Sequence, residues 1–314
     1  MYDYVAFAER IAQLNINHPK VKRICNMLDS IRANRNMGNG KNSARHSFII
    51  GKSGVGKTIM AKSYAAKYPG YTHIDENGTE IDIKPIVYVE LPDPFTIQEF
   101  YQTIIAGLCA PQLPGRPTTG DLKRRALKLI NDQKVEMLIL DEMDYILSSR
   151  HVKPIEAMDT IKHIGNMTNI SLVCIGTPDA SKLRTLNDQY FRRLAPIYLD
   201  RFNSVDEEFC SFLHEVEEQL APPQTIGFGD IGTGLPQLLF GMSRGIVGYL
   251  TPTIQEAYRL LGVFDSEFDG STKIRLSVDI LLEAYKNIIG DLTQADLDKI
   301  IVSHENMYSS LNIS

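Results

Sequence analysis

Short, nearly continuous apolar segments alternate with amphipathic stretches over the first two thirds of the chain. The apolar segments predict five strands, near residues 46–50, 86–91, 137–140, 170–175 and 197–199. The stretches between them predict helices, over residues 57–67, 94–108 and 154–166 and from about residue 120. Strands that are apolar on both faces and alternate with helices are typical of α/β proteins, in which helices cover both sides of a parallel sheet.

The pattern changes at both ends of this α/β region. Apolar residues at helical spacing predict helical structure over residues 1–37, and a polar loop is predicted after it at 38–43. Asn77-Gly78, flanked by alternating residues, predicts a β-hairpin within residues 71–84. After Asp200 the strand signals stop, and helices are predicted over residues 204–219, 234–262 and 275–304. We therefore expect four regions: an N-terminal helical segment (1–40), an α/β domain (41–202), a helical region (203–265) and a helical tail (266–314).

Composition excludes some classes of protein. The 314 residues are 43% hydrophobic, which is ample for a sizeable core. No apolar run is long enough to span a membrane, and the N-terminus lacks a basic start followed by an apolar stretch, so we expect a cytoplasmic protein. The formal net charge of −5 argues against a protein that coats DNA with its whole surface, although it allows a local basic face.

A glycine-rich segment follows the first predicted strand and opens the next helix. Gly51-Lys-Ser-Gly-Val-Gly-Lys-Thr58 matches the phosphate-binding loop at every defined position. Its glycines let backbone N–H groups turn toward phosphates, Lys57 reaches the outer phosphates, and Thr58 offers a hydroxyl to Mg²⁺. The predicted ATP contacts are Ser53, Gly54, Val55, Gly56, Lys57, Thr58 and Ile59.

Two acidic residues end the third predicted strand. In Met137-Leu-Ile-Leu-Asp141-Glu142, the acids lie at the carboxyl edge of the sheet, where open parallel sheets bind ligands. We expect Asp141 to support Mg²⁺, usually through water, and Glu142 to orient and deprotonate the attacking water. The alternative is that Glu142 only caps the following helix, in which case the protein binds ATP and hydrolyses it poorly.

Four further residues are candidates for the nucleotide site. Thr177 follows the fourth strand and is expected to contact the γ-phosphate or the water, unless it is a simple turn residue. Arg192 and Arg193 precede the fifth strand; they form either a solvated basic pair or a finger that reaches the ATP of a neighbouring subunit. Arg244 is expected to reach the nucleotide from the helical region.

These motifs, in this order, are similar to those of AAA+ ATPases. More narrowly, residues 15–250 resemble the TniB/TnsC family of transposon-encoded AAA+ ATPases. The segments that carry the resemblance are Leu91-Pro-Asp-Pro94, Phe100–Leu108, Leu138–Leu147 and Ile170–Ala180. The resemblance implies a five-stranded parallel sheet in the order 5-1-4-3-2, sandwiched by helices, with the helical region forming a C-terminal all-helical lid.

The resemblance also implies a role in DNA transposition. Members of this family assemble with ATP on duplex DNA as a ring or a helical filament, and link a target-selection protein of the TniQ type to a DDE transposase. By the same match Arg193 takes the finger position, but Leu194 follows it where family members often have Phe. The basic doublet also leaves open which arginine acts, and residues 263–314 match nothing in the family.

DNA contacts in this family lie on the helices between the second and third strands. The corresponding segment, residues 112–125, is locally basic within an acidic protein. Threonines and cations suit phosphate contacts, which position DNA without reading its sequence. The candidates are Arg116, Thr118, Thr119, Lys123 and Arg124. The alternative is an ordinary solvated start of a helix.

Three other functions remain open. An ATPase of the IstB or replication-initiator kind would load a partner on DNA, but initiators carry a helix-turn-helix domain, and no such signature follows residue 200. A signalling ATPase that switches by assembly would show no stimulation of hydrolysis by duplex DNA. A small-molecule kinase is weaker still, because it needs an acceptor-binding lid, whereas the second arginine is typical of AAA+ proteins.

Overall fold

The structure is a computed structural model that describes residues 2–14, 18–36, 44–74, 76–265, 268, 274 and 276–290. The chain divides into two compact units. The α/β unit comprises residues 20–53 and 57–200, and the helical unit comprises residues 1–19, 54–56 and 201–314. The boundaries expected at 40, 202 and 265 stay predictions.

A five-stranded parallel sheet forms the centre of the α/β unit. Its strands are β1 (His46–Ile50), β4 (Ile86–Glu90), β5 (Met137–Asp141), β6 (Ser171–Gly176) and β7 (Leu194–Tyr198). The order across the sheet is β4-β5-β6-β1-β7, and every neighbouring pair is parallel. Counted as the first to fifth strands of the sheet, this is the predicted order 5-1-4-3-2, which is therefore confirmed. The predicted hairpin is formed separately by β2 (Tyr71–Ile74) and β3 (Glu80–Ile83).

The prediction for the last strand was wrong at its start. β7 begins at Leu194 and not at Ile197. It pairs only with β1 and is an edge strand, so Ala195, Pro196 and Tyr198 are exposed and the apolar signal is sparse. An edge strand also tolerates Pro196, because one side of its backbone needs no hydrogen bond from the sheet.

Helices cover both faces of this sheet. They are α2 (Pro19–Asn36), α3 (Lys57–Ala66), α4 (Ile97–Gly107), α5 (Thr119–Asp132), α6 (Asp144–Ser148), α7 (Pro154–Thr168), a 3-10 helix (Ala180–Thr185) and α8 (Asp188–Arg193). The predicted start of α4 at Pro94 is corrected: Thr96 caps the helix by accepting a hydrogen bond from the N–H of Glu99. The helix α6 was not predicted, because five residues are too few to establish a helical period.

The helical unit contains α1 (Tyr4–Ala12), α9 (Glu207–Leu220), a 3-10 helix (Ile231–Thr233), α10 (Leu235–Ser243), α11 (Val247–Leu260) and α12 (Val278–Ile289). The single helix predicted over 234–262 is wrong, because the chain breaks at Arg244 and Gly245, which have φ values of 52° and 74°. A Cβ on Gly245 would lie 2.1 Å from the carbonyl oxygen of Phe202, so this break requires glycine. The expected loop at 38–43 and the predicted helix beyond residue 290 lie outside the described residues.

A buried carboxylate fixes the loop that follows α9. Glu217 is only 7% exposed and accepts hydrogen bonds from the backbone N–H groups of Ile226, Gly227 and Phe228. Phe228 belongs to a core that also contains Phe212, whereas Ile226 and Gly227 are half-buried, so Glu217 pairs backbone groups at the boundary of this core. Among the residues that the structure describes, no helix combines the length and apolarity needed to cross a membrane.

Candidate nucleotide-binding site

The glycine-rich loop adopts a conformation that its sequence makes possible. Gly54 and Gly56 have φ values of 80° and 95°, in the left-handed region that glycine occupies without strain. The loop leaves the carboxyl end of β1, and α3 begins at Lys57, so the positive end of that helix faces the loop. Of the other predicted contacts, Ser53 and Ile59 are exposed, whereas Val55 is buried.

The Lys57 ammonium is held within this loop. Its Nζ donates hydrogen bonds to the carbonyl oxygens of Gly51, at 2.8 Å, and Lys52, at 2.9 Å. Burial lowers the pKa of Lys57, and the nearby carboxylates of Asp141 and Glu142 act in the opposite direction. A phosphate group would replace two neutral carbonyl partners with charged ones, which are stronger acceptors for an ammonium.

Asp141 is the most constrained acid of the site. It is 1% exposed, and its Oδ2 accepts hydrogen bonds from Thr58 Oγ1, at 2.8 Å, and from Tyr88 Oη, at 2.9 Å. Its Oδ1 accepts one from the backbone N–H of Glu142, at 2.9 Å. Burial and the Asp141 charge raise the pKa of the Tyr88 phenol, so Tyr88 remains a hydrogen-bond donor. These contacts fix the orientation of the carboxylate.

The Thr58–Asp141 pair fits Mg²⁺. A hydroxyl and a carboxylate, already in contact at 2.8 Å, are the hard oxygen ligands that this ion prefers. In the described part of the chain no group of three or more His, Cys, Asp or Glu side chains is arranged for a metal. Mg²⁺ usually takes one or two carboxylates and completes its coordination with phosphates and water.

Glu142, the candidate catalytic base, has an unusual backbone conformation directly after β5. Its φ is 57°, a left-handed conformation that costs energy for a residue other than glycine and is concentrated at functional sites. It has no capping role, because the N-cap of α6 is Met143 and no side chain caps that helix. Burial and the adjacent Asp141 raise the pKa of Glu142, which makes it a better proton acceptor.

Thr177 is held by a residue that sequence reasoning missed. Its backbone N–H donates to Asp144 Oδ2 at 2.9 Å, and its hydroxyl donates to Asp144 Oδ1. The hydroxyl also accepts a hydrogen bond from the N–H of Asp179. Since the only proton of the hydroxyl is engaged, Thr177 has a lone pair available for a water molecule but no proton for a phosphate.

Asp144 and Tyr88 have only weak sequence signals. Asp144 is the third acid of Asp141-Glu-Met-Asp144, and Tyr88 is the one side chain with a polar tip between apolar residues of β4. The role of each residue depends on a contact between elements that are distant in sequence. Neither pattern is specific enough to identify the residue without the fold.

The structure does not bring the arginine doublet to the loop of the same α/β unit. Arg192 and Arg193 are exposed at the end of α8, immediately before β7 begins. The loop follows the end of β1, which is parallel to β7, so the doublet and Lys57 lie at opposite edges of the sheet. Arg193 Nη1 donates a hydrogen bond to Asn166 Oδ1 at 2.8 Å. Arg244 lies in the helical unit, exposed at the break after α10.

The candidate DNA contacts surround the start of α5. Thr118 is the N-cap and forms a capping box with Asp121, which also makes a 2.6 Å ion pair with Arg124. Thr118 and Arg124 therefore have local structural roles as well as exposed positions. Arg116 and Thr119 are exposed, and Lys123 is half-buried. The arrangement accommodates both phosphate contact and an ordinary solvated start of a helix.

Solved structures with a similar fold include archaeal ORC and CDC6 proteins. The ORC2 protein of Aeropyrum pernix, in ADPNP-ADP complexes, is 16% identical with a TM-score of 0.60, covering 92% of this chain and 74% of that one. CDC6P of Pyrobaculum aerophilum is 10% identical with a TM-score of 0.62, covering 95% and 82%. The ORC1 protein of Aeropyrum pernix in complex with DNA is 14% identical with a TM-score of 0.58, covering 96% and 80%. At these identities the likeness establishes the fold alone.

The sequence matches none of the curated proteins. A family profile described as bacterial TniB protein matches residues 10–204, which is more than half of the chain. This range contains the phosphate-binding loop, Asp141, Glu142, Thr177 and the arginine doublet. The chain therefore belongs to the TniB family and has the AAA+ ATPase fold that its sequence predicted.

Proposed function

We propose that this protein is a Mg²⁺-dependent ATPase of the bacterial cytoplasm that regulates DNA transposition. The observation that carries the enzymatic part is the contact of Thr58 with Asp141, which lies beside Lys57 and the left-handed Glu142. A binding loop, an oriented carboxylate and a base with a raised pKa are the parts that ATP hydrolysis requires. The proposed role in DNA transposition rests on membership of the TniB family.

Nucleotide binding starts from the arrangement of the loop. Backbone N–H groups of residues 53–58 take the phosphates, and the Lys57 ammonium exchanges its two carbonyl partners for phosphate oxygens. Thr58 and Asp141 would hold Mg²⁺, and the ion would supply positive charge next to the phosphates. Tyr88 keeps the Asp141 carboxylate in the orientation that this contact requires.

Hydrolysis then divides between Glu142 and Thr177. Glu142 accepts the proton of the attacking water, since burial raises its pKa. The Thr177 hydroxyl donates its own hydrogen bond to Asp144, so it accepts a hydrogen bond from the same water and orients it. Because Arg193 lies at the opposite sheet edge, it acts on the ATP of a neighbouring copy, while Arg244 contacts nucleotide from the helical lid.

The assembly is a homo-oligomer on duplex DNA, either a ring or a helical filament, that links a target-selection protein of the TniQ type to a DDE transposase. Membership of the TniB family supports this role, and so does the likeness to an ORC1 protein solved in complex with DNA. Arg116, Thr118, Thr119, Lys123 and Arg124 form the DNA-facing surface through phosphate contacts.

Negative-stain imaging with ATP and duplex DNA tests the assembly. We expect rings or filaments with the unmodified protein, and none with Lys57→Ala, which removes the ammonium that the phosphates need. The folded state of Lys57→Ala should be checked by circular dichroism. Assembly that is indifferent to nucleotide would contradict the proposal, and assembly with ATP but never on DNA would favour a signalling ATPase.

The combined change Lys123→Glu and Arg124→Glu tests the DNA surface. Two phosphate contacts are replaced by repulsion, so we expect loss of DNA binding at physiological salt without loss of folding. Lys128→Glu is the matched control, because Lys128 lies on the same helix, is exposed and pairs with Asp132. Unchanged filament formation on duplex DNA by the double variant would overturn this assignment.

A second candidate is an initiator-like ATPase that loads a partner on DNA. The observation in its favour is the likeness to ORC and CDC6 structures over most of the chain. A transposition regulator should stimulate strand transfer by a transposase from the same element. A loader should instead deliver a replication protein to DNA, and no effect on strand transfer would favour it.

A further inference from the structure

A cavity of about 560 Å³ lies at the amino-terminal edge of the sheet in the α/β unit. It is bounded by the starts of β1 and β7 and by the end of α7. Three arginines line it, namely Arg45, Arg192 and Arg193. No acidic side chain is among its described lining residues, so its charge is strongly positive in an otherwise acidic protein.

His46 also lines this cavity. Its Nδ1 accepts a hydrogen bond from the backbone N–H of Leu172 at 3.1 Å. Burial, helped by the charge of Arg193, lowers the pKa of His46 to about 4, so the ring is neutral near pH 7. A neutral ring that accepts at Nδ1 carries its proton on Nε2. The ring is therefore a neutral N–H donor that needs no counter-ion.

Asn166 distinguishes the two arginines of the doublet. Its Oδ1 accepts a hydrogen bond from Arg193 Nη1 at 2.8 Å, and both side chains line the cavity. The guanidinium keeps its remaining N–H groups for a ligand while one is anchored. Arg192 lines the same cavity, but its described contacts include no such anchor. The geometry thus favours Arg193 as the oriented group.

We infer that this cavity is a phosphate-binding site in which Arg45 and His46 act together with Arg193, and in which Asn166 is the positioning residue for Arg193. Guanidinium groups and a neutral imidazole N–H are donors matched to phosphate oxygens, and no carboxylate competes with the ligand. In the proposed function, the phosphate comes from the nucleotide held by a neighbouring copy. The inference rests on the proposed function in this point.

Binding of inorganic tripolyphosphate tests the site without nucleotide or assembly. We expect Lys57→Ala, which disables the glycine-rich loop, to bind tripolyphosphate in calorimetry. Adding Arg45→Ala should weaken this binding by about 10-fold, since one charge-assisted contact is lost. Adding Arg23→Ala is the matched control, because Arg23 is an exposed arginine on α2 outside the cavity. Equal weakening by both changes, or no binding in Lys57→Ala, would overturn the site whether or not the protein hydrolyses ATP.

Mixing of variants identifies the source of the phosphate. Arg45→Ala subunits keep the catalytic base Glu142 but have a defective cavity, whereas Glu142→Gln subunits have an intact cavity but lack the base. We expect the mixture to hydrolyse ATP faster than Arg45→Ala alone, because each intact cavity serves a neighbour's nucleotide. If mixing gives no gain and Arg45→Ala instead reduces the salt dependence of DNA binding, the phosphates belong to DNA and the assignment to nucleotide is wrong.

Kinetics of Asn166→Ala test the positioning role. We expect kcat to fall by about 10-fold with little change in KM, because a misaimed Arg193 loses contact mainly in the transition state. Thermal unfolding should be unchanged, since Asn166 is exposed. A fall in stability with unaltered kcat would make Asn166 a structural residue and refute this role.

Discussion

Replacing Glu142 with Gln is expected to reduce ATP hydrolysis by about 10²–10⁴-fold while ATP binding changes little. The amide cannot accept the proton of the attacking water, but it has nearly the same shape and leaves Lys57 and Thr58 untouched. Burial and Asp141 raise the pKa of Glu142, so the acid limb of kcat/KM should lie above the ordinary range of glutamate. Activity is lost as the pH falls through that value, because the protonated acid is no longer a base.

Glu90→Gln is the matched control for this change. Glu90 ends β4 at the same sheet edge, opposite Asp141 in register, but its side chain is exposed. Steady-state hydrolysis and equilibrium binding of a fluorescent ATP analogue should be measured for both variants. Hydrolysis by Glu142→Gln within a factor of a few of the unmodified protein would assign the base to another group.

Replacing Glu217 with Ala is expected to lower the free energy of unfolding of the helical unit by about 3–5 kcal/mol. The change leaves the buried N–H group of Phe228 and the half-buried N–H groups of Ile226 and Gly227 without their acceptor. It also removes the anchor that holds the loop after α9 against an aromatic core. The loss should appear as a lower midpoint of urea unfolding.

The adjacent residue provides the control for this prediction. Glu218→Ala removes a carboxylate of the same helix that is exposed and interacts only at the surface with His214. Its unfolding midpoint should stay close to that of the unmodified protein. If the two variants unfold at the same midpoint, the three backbone contacts of Glu217 do not stabilise the unit as we argue.

The sheet was predictable because its central strands are buried on both faces. All five residues of β5 are buried, so an uninterrupted apolar run marks it in the sequence. The edge strand β7 gives a weaker signal, since only one of its faces packs and Pro196 interrupts it. The break at Arg244 was missed because helical periodicity continues through it, and only the close approach of Phe202 to Gly245 explains it.

Local motifs made half of the candidate site predictable. The loop from Gly51 to Thr58 depends on neighbours in sequence, so its pattern alone is informative. The support of Asp141 by Tyr88 and of Thr177 by Asp144 depends on which strands are adjacent. Thr118 was predicted from the sequence as a DNA contact, and the structure shows that it also forms a capping box with Asp121.

The location of Arg193 at the edge of the sheet opposite Lys57 has a consequence for the polarity of the proposed assembly. In an open stack, the nucleotide of one terminal subunit would lack a neighbouring Arg193. At the other end, the arginine cavity of the terminal subunit would have no neighbouring nucleotide to contact. The two ends would then differ chemically, and the nucleotide at the first end would persist longest. Growth and shrinkage of an open stack would consequently proceed at unequal rates from its two ends, whereas a closed ring would have no such asymmetry.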